Sequence, residues 1–203
     1  MVIKEVVEAI KLALDNMDKN ICRLSQIDYN NKKIRKPIIE DKSKDKHLER
    51  PFAYEFYQQF RKLMQNGDVD FGGPIIQAEV DKTYQHYFKK GKSPDFIIHT
   101  PDSDNNLAVI EFKLASRSKK DIKEDLKKLV LFKTHTRLKY SNGIEVILGT
   151  KRFLENRMKD INNWNGKGGE EIIIVEFDTV SWKADHSVIL FKGKKIKFSQ
   201  STN

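Results

Sequence analysis

Cysteine is almost missing from this chain. Cys22 is the only one in 203 residues, so an internal disulfide and a zinc cluster built from several thiolates are both excluded. That usage fits a reducing compartment. The first stretch also lacks an uninterrupted apolar run: Lys4, Glu5, Glu8 and Lys11 break up Met1 to Leu14, too often for a signal-peptide core or a membrane span. The expected protein is soluble and cytoplasmic, with no membrane partner. No internal repeat is visible, and His86, His99 and His135 stand singly rather than at ligand spacing. They are assigned no catalytic role.

Positive charge is what the chain has in excess. Lys and Arg number 38 against 29 Asp and Glu, a formal +9, which favours contact with polyanions and makes nucleic acid the leading partner class. Lysine, asparagine and isoleucine are all frequent, as in proteins encoded by AT-rich genomes, so composition accounts for part of that balance. The length suits one domain with appendages.

From Val2 to Met17 the apolar residues Ile3, Val6, Val7, Ile10, Ala13, Leu14 and Met17 recur at helical spacing, which predicts an amphipathic helix. Asp28 to Glu49 is rich in Lys, Asp and Asn, with Pro37 inside, and reads as a linker or loop. Residues 1–50 are therefore expected as an N-terminal helix and charged linker, and 51–203 as the main α/β domain. Pro51 suits a first helical turn, and Phe52, Phe56, Phe60, Leu63 and Met64 form an apolar stripe running to Gly67. Ile76, Ala78 and Val80 alternate with Gln77, Glu79 and Asp81, the period of a strand with one polar face. Phe96 to Ile98 and Leu107 to Phe112 are short strands joined through the turn-rich 101–106, hence a hairpin. Ser118 is the expected N-cap of a helix running to Tyr140, with Gly143 marking its end. Ile144 to Leu148, Arg152 to Trp164 and Ile172 to Phe177 follow as strand, helix and strand. A right-handed crossover then carries the chain from the Glu111 strand to the Ile144 strand. Val188 to Phe198, around Gly193-Lys194, is the expected terminal hairpin.

Within this frame Asp95 follows Pro94 and opens one strand, while Glu111-Phe112-Lys113 closes the next. Side chains alternate across a strand, so Glu111 and Lys113 share a face and Phe112 takes the other. Two converging carboxylates repel unless a proton or cation lies between them, and Mg²⁺ demands oxygen ligands. The triplet of acid, any residue and lysine also starts at Glu40, Asp121 and Asp125, but only Glu111 lies on an apolar strand preceded by a Pro-Asp strand.

Pro94-Asp95 and Glu111-Phe112-Lys113 in this order of elements resemble the PD-(D/E)xK nuclease superfamily, over roughly residues 51 to 150. The resemblance implies an α/β restriction-endonuclease-like core of order α-β-β-β-α-β, a mixed central sheet flanked by helices, with an N-terminal helix and a C-terminal hairpin added. It further implies a Mg²⁺-dependent nuclease, with Mn²⁺ able to substitute, acting on DNA. Asp95, Glu111 and the Phe112 carbonyl would hold the metal, and Lys113 would position the attacking water. Such families often take another acid from the first helix, which singles out Glu55, with Glu79 as the competing extra ligand. A solvated helix residue is the bland reading of Glu55. Lys119, Lys120, Lys123 and Lys127 would line a phosphate track, although Asp121, Glu124 and Asp125 make ordinary intrahelical pairing a rival. Enzymes of this kind often pair up to cut two strands, so a homodimer is compatible. The alternatives are a module on the same fold that holds nucleic acid without cutting it, or an interaction subunit docking through the Val2 to Met17 helix.

Overall fold

A computed structural model describes residues 2–22, 25–28, 33–37, 49–78 and 93–192. Helix α1 (Val2–Asp15) and the short α2 (Lys19–Cys22) lead into strands β1 (Ser25–Asp28) and β2 (Lys33–Pro37), which pair antiparallel. A strand thus occupies part of the expected linker. The order then runs α3 (Glu49–Asn66), β3 (Ile75–Ala78), β4 (Phe96–His99), β5 (Asn106–Leu114), α4 (Lys119–Thr134), β6 (Asn142–Gly149), α5 (Lys151–Asn162), β7 (Asn165–Asp178) and β8 (Lys183–Phe191).

The α/β class is borne out. Strands β3 to β8 form one six-stranded sheet in sequence order. It is mixed: β5, β6 and β7 run parallel, while the outer pairs are antiparallel. The expected hairpin of Phe96 to Ile98 with Leu107 to Phe112 is the β4–β5 pair. The two crossovers, through α4 and α5, advance in the same direction across the sheet, so a common hand puts both helices on one face. Ile122, Leu126, Leu129, Leu154 and Ile161 pack there against Ile97, Val109, Ile147 and Ile174.

Helices α1 and α3 cover the other face. Every second residue of the central strands points their way, so Phe96, Ile98, Ile110, Phe112, Val146 and Leu148 meet Ile10, Leu14, Phe52, Phe56 and Phe60 in one core. The Phe stripe does what its spacing predicts. Phe56 sits at the centre, with ring centroids 4.8 Å from Phe112, 5.4 Å from Phe96 and 5.6 Å from Phe60. The apolar face of α1 is spent inside the chain: Val6, Ile10, Ala13 and Leu14 are fully buried, and the Trp182 indole donates to the Met17 carbonyl.

Three boundaries differ from expectation. Helix α4 stops at Thr134, well short of Tyr140, because His135 turns extended and its ring Nδ1 accepts the N–H groups of Arg137 and Leu138. Gly143 lies inside β6 instead of ending a helix. The described C-terminal hairpin joins β7 to β8 through residues 179–182, and Val188 belongs to β8. The hairpin expected around Gly193-Lys194 lies outside the described residues. So do Glu79, the rest of that strand and His86. Among the described residues no helix is long and apolar enough to cross a membrane.

Phe56→Ala removes the ring on which three others converge at a site with no exposure. It is expected to lower unfolding stability by about 3–5 kcal/mol, measured by urea denaturation; a loss below about 1 kcal/mol would show that the core closes around the gap.

Candidate functional site

Strand β5 outruns its neighbour. Its pairing with β4 ends at Phe96 opposite Ile110, so the N–H groups of Phe112 and Leu114, which point to that side, have no strand partner. Two carboxylates take them instead. Asp95 Oδ2 accepts from Phe112 N at 2.7 Å, and Glu49 Oε2 from Leu114 N at 3.4 Å. Buried backbone donors need partners, and here acidic side chains supply them. On a strand the N–H and C=O of one residue point the same way, so the Phe112 carbonyl also faces the Asp95 edge.

The side chains of Glu111 and Lys113 project from β5 toward α4. In the parallel register Glu145 of β6 lies directly beside Glu111, and α4 closes over them with Asp125 and Lys128. Lys128 Nζ is 2.5 Å from Glu111 Oε2 and 4.0 Å from Asp125 Oδ1. Lys113 Nζ is 2.9 Å from Asp125 Oδ2 and 3.6 Å from Glu49 Oε1. Arg117 Nε completes the group, 3.9 Å from Glu49 Oε2. Five acids therefore face three bases in a largely buried layer. The charge is not closed: Glu111 Oε1 and both carboxylate oxygens of Glu145 are buried without a hydrogen-bond donor.

Burial is the main force on these acids. It raises the Glu111 carboxyl well above its ordinary range, Asp95 beside it adds to the rise, and Lys128 opposes it. Glu145 is also raised strongly by burial, then by Asp125 and Glu111, against a smaller pull from Lys113. Asp95 and Glu49 rise less, because the Phe112 N–H and Lys128 favour the Asp95 anion and Lys113 favours that of Glu49. Burial disfavours both ammonium groups, but the surrounding carboxylates outweigh it and leave Lys113 and Lys128 above their ordinary value.

Asp95, Glu111, Phe112 and Lys113 are thus brought together as the sequence suggests. Glu55 is not among them. It is buried elsewhere on α3, where Oε1 accepts from Asp18 N at 3.1 Å and from the Gln59 amide at 2.6 Å, anchoring α3 to the start of α2. Its place at the cluster is taken by Glu49, about two turns earlier on the same helix. The lysines of the expected track point outward: Lys119 pairs with Asp160, Lys127 with Glu124 at 2.6 Å, Lys123 lies 5.1 Å over the Trp164 ring, and Lys120 is exposed. His99 is engaged with Gln77 across β3 and β4 at 2.6 Å.

Sequence reasoning missed Asp125, Lys128 and Glu145 as members of the cluster, and two of them carry a signal. Asp125 is three residues after Ile122 and four before Leu129, so it falls on the buried stripe of α4. Glu145 is a single charge inside the apolar run Ile144 to Leu148.

Among the described residues no group of three or more His, Cys, Asp or Glu stands ready to hold a metal ion. The available donors nonetheless suit a hard divalent cation, being carboxylate and carbonyl oxygens of Asp95, Glu111 and Phe112, with Glu111 Oε1 lacking a donor.

The raised carboxyls make stability depend on pH. The folded chain holds protons that the unfolded chain releases above its ordinary value near 4.5, so this contribution is full below that value and is lost as pH climbs toward the folded pKa. Glu145→Gln is expected to be more stable than the parent at about pH 8, little changed at about pH 5, and flatter between them. Parallel urea midpoints for the two chains would refute a buried, strained Glu145.

No protein-family model, curated protein or solved structure matches this chain, so the nuclease resemblance rests on the residues that carry it.

Proposed function

We propose that this protein is a Mg²⁺-dependent nuclease that hydrolyses phosphodiester bonds in DNA. One observation carries the reading: where β5 has no β4 partner, Asp95 is bound to the Phe112 N–H, one residue after Glu111, while Lys128 pairs with Glu111 and Lys113 follows on the same strand. A divalent cation held by these oxygens would acidify a water and offset charge growing on the phosphate.

The chain's own groups have separable tasks. Asp95 is fixed by the Phe112 N–H, which leaves its other oxygen for a cation. Lys113 has three N–H donors, so its pairings with Asp125 and Glu49 leave one to orient a water or a phosphate oxygen. A cleft of about 210 Å³ bounded by Glu49, Tyr54, Asp95 and Phe112 leads to this edge from the α3 side. A wider groove of about 560 Å³ at the start of α4 is lined by Arg117, Lys119, Arg157 and Lys159, with Asp160 the one acid. That excess of base suits a phosphate backbone. Arg157 also donates to the Ala115 carbonyl through Nε and Nη2, at 3.3 and 3.0 Å, pinning the turn between β5 and α4.

A second reading is a module that holds nucleic acid without cutting it. It is favoured by the pairing of both buried lysines with acids, which offsets part of the acidic charge without a metal.

The test is cleavage of plasmid, single-stranded DNA and RNA with Mg²⁺ or Mn²⁺. Activity is expected to vanish with chelator and to fall about a hundredfold or more in Asp95→Ala and Glu111→Ala, the scale of losing one preorganised electrostatic contact. Binding without cleavage supports the second reading. Cleavage indifferent to chelator and to both substitutions removes the enzyme from this site.

A further inference from the structure

Lys128 occupies a cation's position. Its ammonium lies 2.5 Å from Glu111 Oε2, donates to the Ser93 carbonyl at 3.2 Å and stands 4.0 Å from Asp125 Oδ1. These oxygens come from β5, from the segment before β4 and from α4. Carboxylates with a backbone carbonyl are also the donors that hard divalent cations take. The neighbouring amine is differently committed: Lys113 joins β5 to α3 and α4 through Glu49 and Asp125. Of the two, Lys128 is the one whose ammonium rests on a candidate metal ligand.

We propose that Lys128 is a built-in surrogate cation, which holds Glu111 in place through Oε2 and competes with a divalent metal for that carboxylate. The inference rests on the metal-dependent reading above. Mg²⁺ sits about 2.0–2.1 Å from its oxygens, and an ammonium on the same oxygen would face a like charge at close range. The two cations compete for the charge of one carboxylate, whose Oε1 has no donor. A destination is at hand, because Asp125 lies three residues before Lys128 on α4 and its Oδ1 is already 4.0 Å from Nζ. The flexible four-carbon stem of lysine allows the change of partner without movement of the helix. The surplus of acids over bases means that Lys128 need not leave the layer when a metal arrives. Lys128 would then weaken metal binding in exchange for keeping Glu111 paired when no metal is present.

Isothermal titration of the full chain with Mn²⁺ tests this. Lys128→Gln is expected to bind Mn²⁺ about tenfold more tightly than the parent, the scale on which groups contacting a ligand move metal affinity. Lys128→Arg, which keeps the charge, is expected to bind no more tightly than the parent. Equal or weaker binding by a folded Lys128→Gln overturns the proposal while leaving the metal-dependent reading intact. If neither chain binds Mn²⁺, both fall. Should Lys128→Gln fail to fold, crystals of the unaltered chain soaked in Mn²⁺ decide the question. Nζ shifted from Glu111 toward Asp125 is the expected result; Mn²⁺ on Glu111 with Nζ still bonded to Oε2 overturns it.

Discussion

Charge buried between a sheet and a helix constrains much of this molecule. Glu111 and Glu145 stand side by side on parallel strands under α4, and carboxylates so deeply placed are costly unless something positive reaches them. Lys128 of α4 reaches Glu111, and Lys113 of β5 reaches Asp125 on α4, so α4 is held over the sheet by ion pairs as well as by Ile122, Leu126 and Leu129. An apolar layer of the same volume would often be as stable. Two of these acids, Glu111 and Glu145, keep buried oxygens that have no donor, a cost to the fold that the ion pairs do not offset.

The opposite face supplies the rigidity that such a site needs. Phe52, Phe56 and Phe60 lock α3 onto β4 and β5, and α3 in turn sets Glu49 against the Leu114 N–H. Further along the same helix, Glu55 accepts from Asp18 N and ties α3 to the start of α2, with Gln59 of α3 donating to the same oxygen. One helix thus spends two acids, half-buried Glu49 and buried Glu55, on two different tasks. On the far side of the site, Gly149 at the end of β6 lets the turn after β5 pass closely: a Cβ there would stand 2.8 Å from that of Ala115. Arg157 holds the same turn from α5.

Where β5 loses its partner, backbone and side chains share one edge. Asp95 serves the fold by satisfying a stranded N–H, and the same bond fixes its carboxylate beside Glu111. Such a residue is expected to be hard to replace, since its loss leaves a buried backbone donor without a partner. Lys128 makes the complementary contact from above, and its bond to the Ser93 carbonyl joins α4 to the segment leading into Asp95.

Much of this was legible in the residues. Period-two and helical spacing located β4, β5, α3 and α4, and strand alternation put Glu111 and Lys113 on one face with Phe112 on the other. Such patterns are local, and a local pattern fixes which way a side chain points. What the side chain meets is set by pairing between distant segments. The choice of Glu49 over Glu55 depends on where the start of α3 lies against β5, and the meeting of Glu145 with Glu111 depends on parallel register. The ammonium that rests on Glu111 comes from Lys128 because α4 crosses back over its own preceding strand. Sequence alone determined the identity of Asp95, Glu111 and Lys113 and the shared face of the last two; only the tertiary structure decided their partners, since ion pairs form between groups that packing brings together, however far apart they lie along the chain.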